Sequence, residues 1–200
     1  MTEHDPYTRR LERVTGARWK QILDVQAPYR WNLQRLEPGY VLDIGCGIGR
    51  NLAHLEGNGV GVDTSRSSVE VARERGYVAY TADEFPSSRH ANDTGFDSLL
   101  FAHVLEHMPD VDATDLVRCY LRYVRRGGKV IVIVPQEAGY ASDETHVNFL
   151  DRDDVAAMLM TCGLRVDRSY SFPFPRAAGR IFRHNETVVV ASMPQRSTGG

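Results

Sequence analysis

Two groups of side chains in this 200-residue chain have the types and spacing for chemistry. The first is Asp43-Ile44-Gly45-Cys46-Gly47-Ile48-Gly49-Arg50, an acid followed by three glycines on alternate positions, and beyond it Asp63, which closes the apolar run Gly59-Val60-Gly61-Val62. Glycine admits positive φ and lets a ligand lie almost on the backbone. A carboxylate at the next strand tip is where an open α/β sheet holds an adenosine-type ligand. The second group is His103, Glu106 and His107, with His146 further along among polar neighbours. Histidines beside a carboxylate can take a proton from an acceptor or ligate a divalent cation.

The glycine spacing bears on which ligand is held. A dinucleotide turn is spelled Gly-x-Gly-x-x-Gly, with pyrophosphate at the helix start. Here Arg50 stands in the place of that third glycine. Asp43, just before the turn, would repel a pyrophosphate and suit a cation. The pattern resembles motif I of the class I S-adenosylmethionine-dependent methyltransferases, whose donor carries an ammonium and a sulfonium. A nicotinamide dinucleotide site and an ordinary strand-turn-helix corner remain the competing readings of the glycines.

The resemblance extends over about residues 37 to 135. Tyr80-Thr81-Ala82-Asp83-Glu84-Phe85-Pro86 is similar to the family's segment after the third strand, 95–108 to its fourth strand and following helix, and 125–135 to its Gly-Gly turn and fifth strand. It implies a Rossmann-like α/β fold: a seven-stranded, mostly parallel sheet with helices on both faces and an antiparallel C-terminal strand. It implies S-adenosylmethionine as cofactor, bound by Asp43, Gly45, Cys46, Gly47, Gly49, Asp63, Thr64, Ala82, Asp83, Glu84, Ala102 and His103. Asp63 would take the ribose hydroxyls and Asp83 the adenine amino group.

The elements that must position these groups read as follows. Strands are expected at 40–44, 59–62, 78–80, 96–101 and 129–134, alternating with helices at 49–56, 65–75 and 112–124, which gives a parallel sheet. Ser65 to Ser68 supply helix-start chemistry, and 87–95 is a polar surface loop. Residues 136–150 read as a polar loop beside the sheet's carboxyl edge. Asp151 caps a helix over 152–162 that Gly163 stops, and strands follow at 164–170 and 187–192. Residues 1–36 form an N-terminal cap, helical over 8–36 and broken by Pro28, with Trp19, Tyr29 and Trp31 either packing it or lining a pocket. Residues 37–193 form the main domain, 173–184 an inserted lid containing Phe172-Pro173-Phe174-Pro175 at its entry, and 194–200 a disordered tail.

For catalysis, a hydroxyl nucleophile needs a base, and a placed base contributes typically about 10²–10⁴-fold. His146 is the expected base, oriented by Asp143 and Glu144, with Glu106 and His107 assisting. A helical turn over 103–108 would put His103, Glu106 and His107 on one face. Together with His146 they are similar to the Mg²⁺ or Mn²⁺ site of small-RNA 2′-O-methyltransferases, although His103 stands where those enzymes carry a carboxylate. A second reading gives Glu106-His107 no metal role, as in many class I methyltransferases, and leaves His146 a plain loop residue.

Composition narrows the partner. The net charge of −2 lacks the basic field of non-specific nucleic-acid binding. No apolar run approaches the ~20 residues of a membrane span, no signal peptide is evident, and the scattered Cys46, Cys119 and Cys162 fit a reducing compartment. The chain therefore reads as cytoplasmic, without nucleic-acid or membrane partners. Neither an Asn/Asp-Pro-Pro-aromatic tetrapeptide nor a double-glutamate loop marks it for amide, base or arginine methylation. The segments 146–150 and 172–186 resemble those of bacterial sugar and natural-product O-methyltransferases, including enzymes of mycobacterial methylmannose polysaccharide synthesis. That resemblance implies a small saccharide acceptor, with the cap and lid as surfaces for a homodimer. Methylation of RNA ribose, or a non-catalytic partner subunit, are the alternatives.

Overall fold

A computed structural model describes residues 26–92 and 94–195. The expectations for residues 8–25, Trp19 among them, and for the tail beyond 195 lie outside the described residues. The described chain divides into two compact units, one of residues 26–38 with Leu42–Ala91, the other of Gly39–Val41 with residues 92–195.

In the first unit, α1 (Ala27–Gln34) carries Pro28 in its opening turn. A first-turn proline gives up only an N–H that has no intrahelical partner, so the expected break is a helix start. Trp31 is 56% exposed, beneath the Arg35 guanidinium. Strand β1 (Val41–Ile44) is buried throughout, as is β2 (Gly59–Asp63), which fits the continuous apolar runs of a parallel sheet. Between them lie the glycine turn and α2 (Arg50–His54). Helix α3 (Arg66–Glu74) starts on Ser65, whose hydroxyl accepts the Ser68 amide, and buries Val69, Val71 and Ala72. It leads to β3 (Ala79–Thr81), which runs parallel to β2 with Asp63 opposite Thr81.

The second unit opens where Tyr40 stacks on Phe96 and its amide donates to Asp97. Strand β4 (Phe96–Ala102) runs parallel to β5 (Val124–Pro135), with α4 (Asp110–Leu121) joining them. The expected turn at 125–128 is instead the first part of β5, which carries Gly127 at φ +68°. Beyond Pro135 the expected loop includes a short helix, α5 (Glu137–Tyr140). Helix α6 (Arg152–Thr161) has a full capping box between Asp151 and Asp154, and Gly163 ends it at φ +81°. Strands β6 (Arg165–Phe172) and β7 (Glu186–Ser192) complete the unit, both paired antiparallel with β7 as the shared strand: β5 with β7, and β7 with β6.

The strand order is β3-β2-β1-β4-β5-β7-β6 in a seven-stranded sheet, so the mostly parallel sheet with one antiparallel C-terminal strand is as the sequence predicts. Residues 173–184, expected as a lid, hold a 3₁₀ turn (Arg176–Arg180) fastened at its base by buried Asn185. The Asn185 side chain accepts the Phe174 amide at 2.9 Å and donates to the carbonyls of Phe174 and Pro175. Among the described residues no helix is long and apolar enough to cross a membrane.

The glycine turn leans on the core through Gly61. A Cβ added there would stand 2.5 Å from Cys46 Sγ. We therefore expect Gly61→Ala to lower unfolding free energy by about 1–3 kcal/mol, the usual cost of overpacking, read from urea denaturation midpoints at unchanged slope.

Candidate functional site

The first unit carries a cradle. Gly45, Gly47 and Gly49 all sit at positive φ (74°, 52° and 81°), which keeps the turn tight. Gly49 also lies against Tyr77, which a Cβ would meet at 2.7 Å. The turn is tied down by the Gly45 and Cys46 amides, both donating to the Val62 carbonyl, and by the Gly47 amide, donating to Asp63 Oδ2 at 2.8 Å. Asp63 Oδ1 accepts the Ser65 amide at 2.8 Å. A carboxylate offers about four lone-pair directions, so each oxygen keeps capacity for a ligand hydroxyl.

Asp43 is fully buried at the end of this turn. Its Oδ1 accepts from Asn51 at 3.3 Å, and its Oδ2 has no hydrogen-bond partner. Burial pushes the carboxyl up to about 7, the Asn51 hydrogen bond pulls it back, and the charge of Asp63 adds to the rise. A buried carboxylate oxygen without a donor is a site waiting for a cation or an N–H group. The donor set therefore fits a cationic adenosine ligand and disfavours a pyrophosphate.

The other expected cofactor residues divide. Cys46 turns into the core against Val69, Ala72 and Ala79, so its side chain is removed from any ligand; burial pushes its thiol upward. Glu84 is taken by structure: Arg73 and Arg66 bind its two oxygens at 2.7 and 3.0 Å, and the Thr81 amide adds a third bond. The Arg73 hydrogen bond, then the Thr81 amide and Arg66, hold its carboxyl down at about 2. Thr64 and Asp83 are exposed, and Ala82 is half-buried with its amide on the Asp63 carbonyl. Ala102 and His103 belong to the second unit, at the end of β4.

The second unit carries a histidine–glutamate cluster. The turn at 103–108 is shorter than expected, a single 3₁₀ turn over Leu105–His107, preceded by His103 in the left-handed region at φ 59°. His103 still meets Glu106, three residues on, as the helical spacing predicts. Its Nε2 lies 2.9 Å from Glu186 Oε1 and its Nδ1 3.3 Å from Glu106 Oε1, so both nitrogens face carboxylates and neither is open to a metal. Desolvation opposes the charged ring, but pairing with the Glu106 and Glu186 carboxylates outweighs it and pushes His103 up to about 10.

Glu106, His107 and His146 do come together, with one ligand atom from each within 4.8 Å of the others. Glu106 is 1% exposed, and neither carboxylate oxygen has a partner of hydrogen-bond geometry. Its carbonyl accepts the amides of Val147 and Asn148, which fastens the His146 loop to the turn. His146 Nδ1 is 2.8 Å from the Tyr140 carbonyl, so that nitrogen carries the proton and Nε2 the lone pair, 4.0 Å from Glu106 Oε1. His107 Nδ1 similarly faces the Thr145 carbonyl at 3.2 Å, leaving its Nε2 free to accept.

Asp143 holds the His146 main chain, its carbonyl taking the His146 amide at 3.2 Å while its carboxylate accepts from the Thr145 amide and hydroxyl; the imidazole itself is held by the Tyr140 carbonyl and the stacked Tyr140 ring. Tyr140, Thr145 and Glu186 are thus functional neighbours that sequence reasoning missed. Two of them act through main-chain carbonyls, which carry no sequence signature, and Glu186 reaches His103 across 83 residues. Asn51 was in reach, one turn beyond the glycines.

Linkage follows for His103. Its folded value exceeds the ordinary one, so its stabilisation is fully present below about 6.5 and fades as pH rises through about 10. With 42% of the side chain exposed, solvent reduces the size of the effect. We expect wild-type stability to fall between pH 7 and 10 more steeply than that of His103→Gln, as read from thermal midpoints across that range.

Comparison with known proteins adds the family. Residues 11–169 match the family model described as a methyltransferase domain. A methyltransferase, GfsG, of Streptomyces halstedii is 31% identical over 138 residues, which cover 64% of this chain and 45% of that protein, so the chain spans less than half of its relative. A solved S-adenosylmethionine-dependent methyltransferase of Archaeoglobus fulgidus superposes with TM-score 0.69 at 16% identity, over 94% of this chain and all of that one. Magnesium protoporphyrin IX methyltransferase of Synechocystis PCC 6803, solved with bound S-adenosylmethionine, gives 0.66 at 15% identity, over 95% and 92%. With the matched model covering residues 11–169, the chain belongs to the methyltransferase domain family, and its sheet has the fold of the solved S-adenosylmethionine-dependent methyltransferases.

Proposed function

We propose that the chain transfers a methyl group from S-adenosylmethionine to a hydroxyl of a small polar acceptor, a saccharide, with His146 as general base. The observation that carries this reading is the tautomer imposed on His146: the Tyr140 carbonyl takes Nδ1–H and turns the basic Nε2 towards buried Glu106. The cradle would hold the donor, with Asp43 facing its cationic amino-acid end, the three glycines giving backbone room, Asp63 accepting the ribose hydroxyls and Asp83 the adenine amino group. When bound, the donor supplies an electrophilic methyl on a sulfonium, and attack on it is in line. His146 Nε2 would take the acceptor proton as the new C–O bond forms and the sulfur–methyl bond breaks, releasing S-adenosylhomocysteine, and the Glu106 carboxylate would stabilise the imidazolium that results. The net charge of −2 supports a small acceptor over RNA, and the unpartnered Asp43 oxygen supports a working donor site over a non-catalytic subunit.

A second reading rests on the convergence of Glu106, His107 and His146. Two imidazole Nε2 atoms with preset lone pairs and one buried carboxylate fit a divalent cation, and the nitrogen-rich set suits Mn²⁺ or Zn²⁺ better than Mg²⁺. Such an ion would act as a Lewis acid on the acceptor oxygen. Equilibrium dialysis against Mn²⁺ distinguishes the two: one equivalent bound, and lost in Glu106→Gln, supports the metal; none bound leaves His146 acting alone.

Two outcomes test the main reading. His146→Ala should lower kcat on a saccharide acceptor by about 10²–10⁴-fold while donor affinity, by calorimetry, stays unchanged. Full turnover in this variant would remove the base. Asp43→Asn should weaken S-adenosylmethionine by about 10–100-fold, the range of one charge-assisted hydrogen bond. Because the folded Asp43 value is raised, its carboxylate destabilises the free protein as pH rises through about 7. The same variant should therefore melt higher than wild type at pH 8, with donor absent.

A further inference from the structure

A groove of about 460 Å³ opens between β6, the start of β7, the N-terminal turn of α6 and the 3₁₀ turn at 176–180. Its two arginines are already paired. Arg176 makes a two-pronged pair with Glu137 at 2.6 and 2.6 Å, Arg152 lies on Asp153 at 3.1 Å, and the Asp151 carboxylate caps its own helix. The negative charge left on Asp151 disfavours an anion in the groove.

What it does present is hydroxyls, and their direction is set from below. The Phe174 amide can only donate, so Asn185 must offer it Oδ1 and point Nδ2 at Gln136 Oε1, 2.9 Å away. Gln136 is thereby forced to present Nε2 on its other side, where its two N–H protons face three acceptors: the Glu186 carbonyl, Ser171 Oγ at 2.8 Å and Thr187 Oγ1 at 3.2 Å. An amide nitrogen cannot accept, so each hydroxyl must turn its own proton away from Gln136, and both residues line the groove. Ser169, two residues before Ser171 on β6, adds a third hydroxyl on the same face.

We infer that this groove binds an uncharged sugar unit. The strand register joins it to the histidine–glutamate cluster: Glu186, which holds His103, and Thr187, which faces the groove, are consecutive on β7 and project from opposite faces of the sheet. On the saccharide reading proposed above, on which this step rests, the occupant is a sugar of the acceptor that is not itself methylated. Binding energy gathered on such a remote unit raises specificity for acceptors longer than one ring.

The test uses the whole chain with maltose and methyl α-D-mannopyranoside as probes, by saturation-transfer NMR and by titration. Wild type should bind at least one of them. Ser169→Trp, which fills the groove without touching the Gln136 bonds, should abolish that binding, and Ser171→Ala/Thr187→Val should weaken it about 10-fold or more, with donor affinity and melting temperature of Ser169→Trp unchanged. Absence of binding to both sugars, unaltered binding in Ser169→Trp, or displacement of the sugar by inorganic phosphate would each overturn the inference. Sugar binding that Ser169→Trp removes, in a protein that methylates no saccharide, would keep the groove and sink the acceptor reading instead.

Discussion

The arrangement of the first unit depends on one unfavourable burial. Asp43 lies within a fully buried strand, with one oxygen on Asn51 and the other on nothing. A side chain so placed costs stability in the free protein, which is why its carboxyl is pushed up to about 7. A packed core tolerates such a group where a ligand repairs it. The positive φ values of the three glycines keep the turn tight and free of side chains, and Asp63, pinned by two amides, adds a rigid second carboxylate. Local stability and ligand binding are opposed at this one side chain.

The second unit shows the same economy of means with different parts. His146 and His107 are aligned by peptide carbonyls, and Glu106 is held between them and His103. His103 sets its single ring between the carboxylates of Glu106 and Glu186 and so steadies Glu106 through Oε1 alone. The positioning groups are therefore mostly main-chain atoms and one imidazolium. Such supports hold a ring within narrow angular limits because they belong to hydrogen-bonded turns rather than to long side chains.

Much of the fold was legible because its signals are local. Glycines at alternate positions after Val41-Leu42, an acid after each of the first two strands, Ser65 and Asp151 as caps and Gly163 as a stop all act within a few residues of themselves. Pro28 misled by the same locality, since a proline reads as a break whether it ends a helix or begins one. The cluster was half legible. Three-residue spacing placed His103 beside Glu106, as observed, but the left-handed backbone at His103 has no signature in a histidine, and the long-range pair with Glu186 takes its second nitrogen. Cys46 and Glu84 illustrate the converse: family position suggested a ligand role, and packing under Gly61 or pairing with Arg66 and Arg73 claimed the side chain.

Proton release on donor binding reaches the central claim most directly. Calorimetric titration with S-adenosylmethionine at pH 6.5, in two buffers of different ionisation enthalpy, counts the protons that leave the protein. A cation docking on Asp43 should expel the proton that this buried carboxyl holds below about 7, so a release of about half a proton or more per site is expected, vanishing in Asp43→Asn. Binding with no proton released, or with the same release in the variant, would contradict the account.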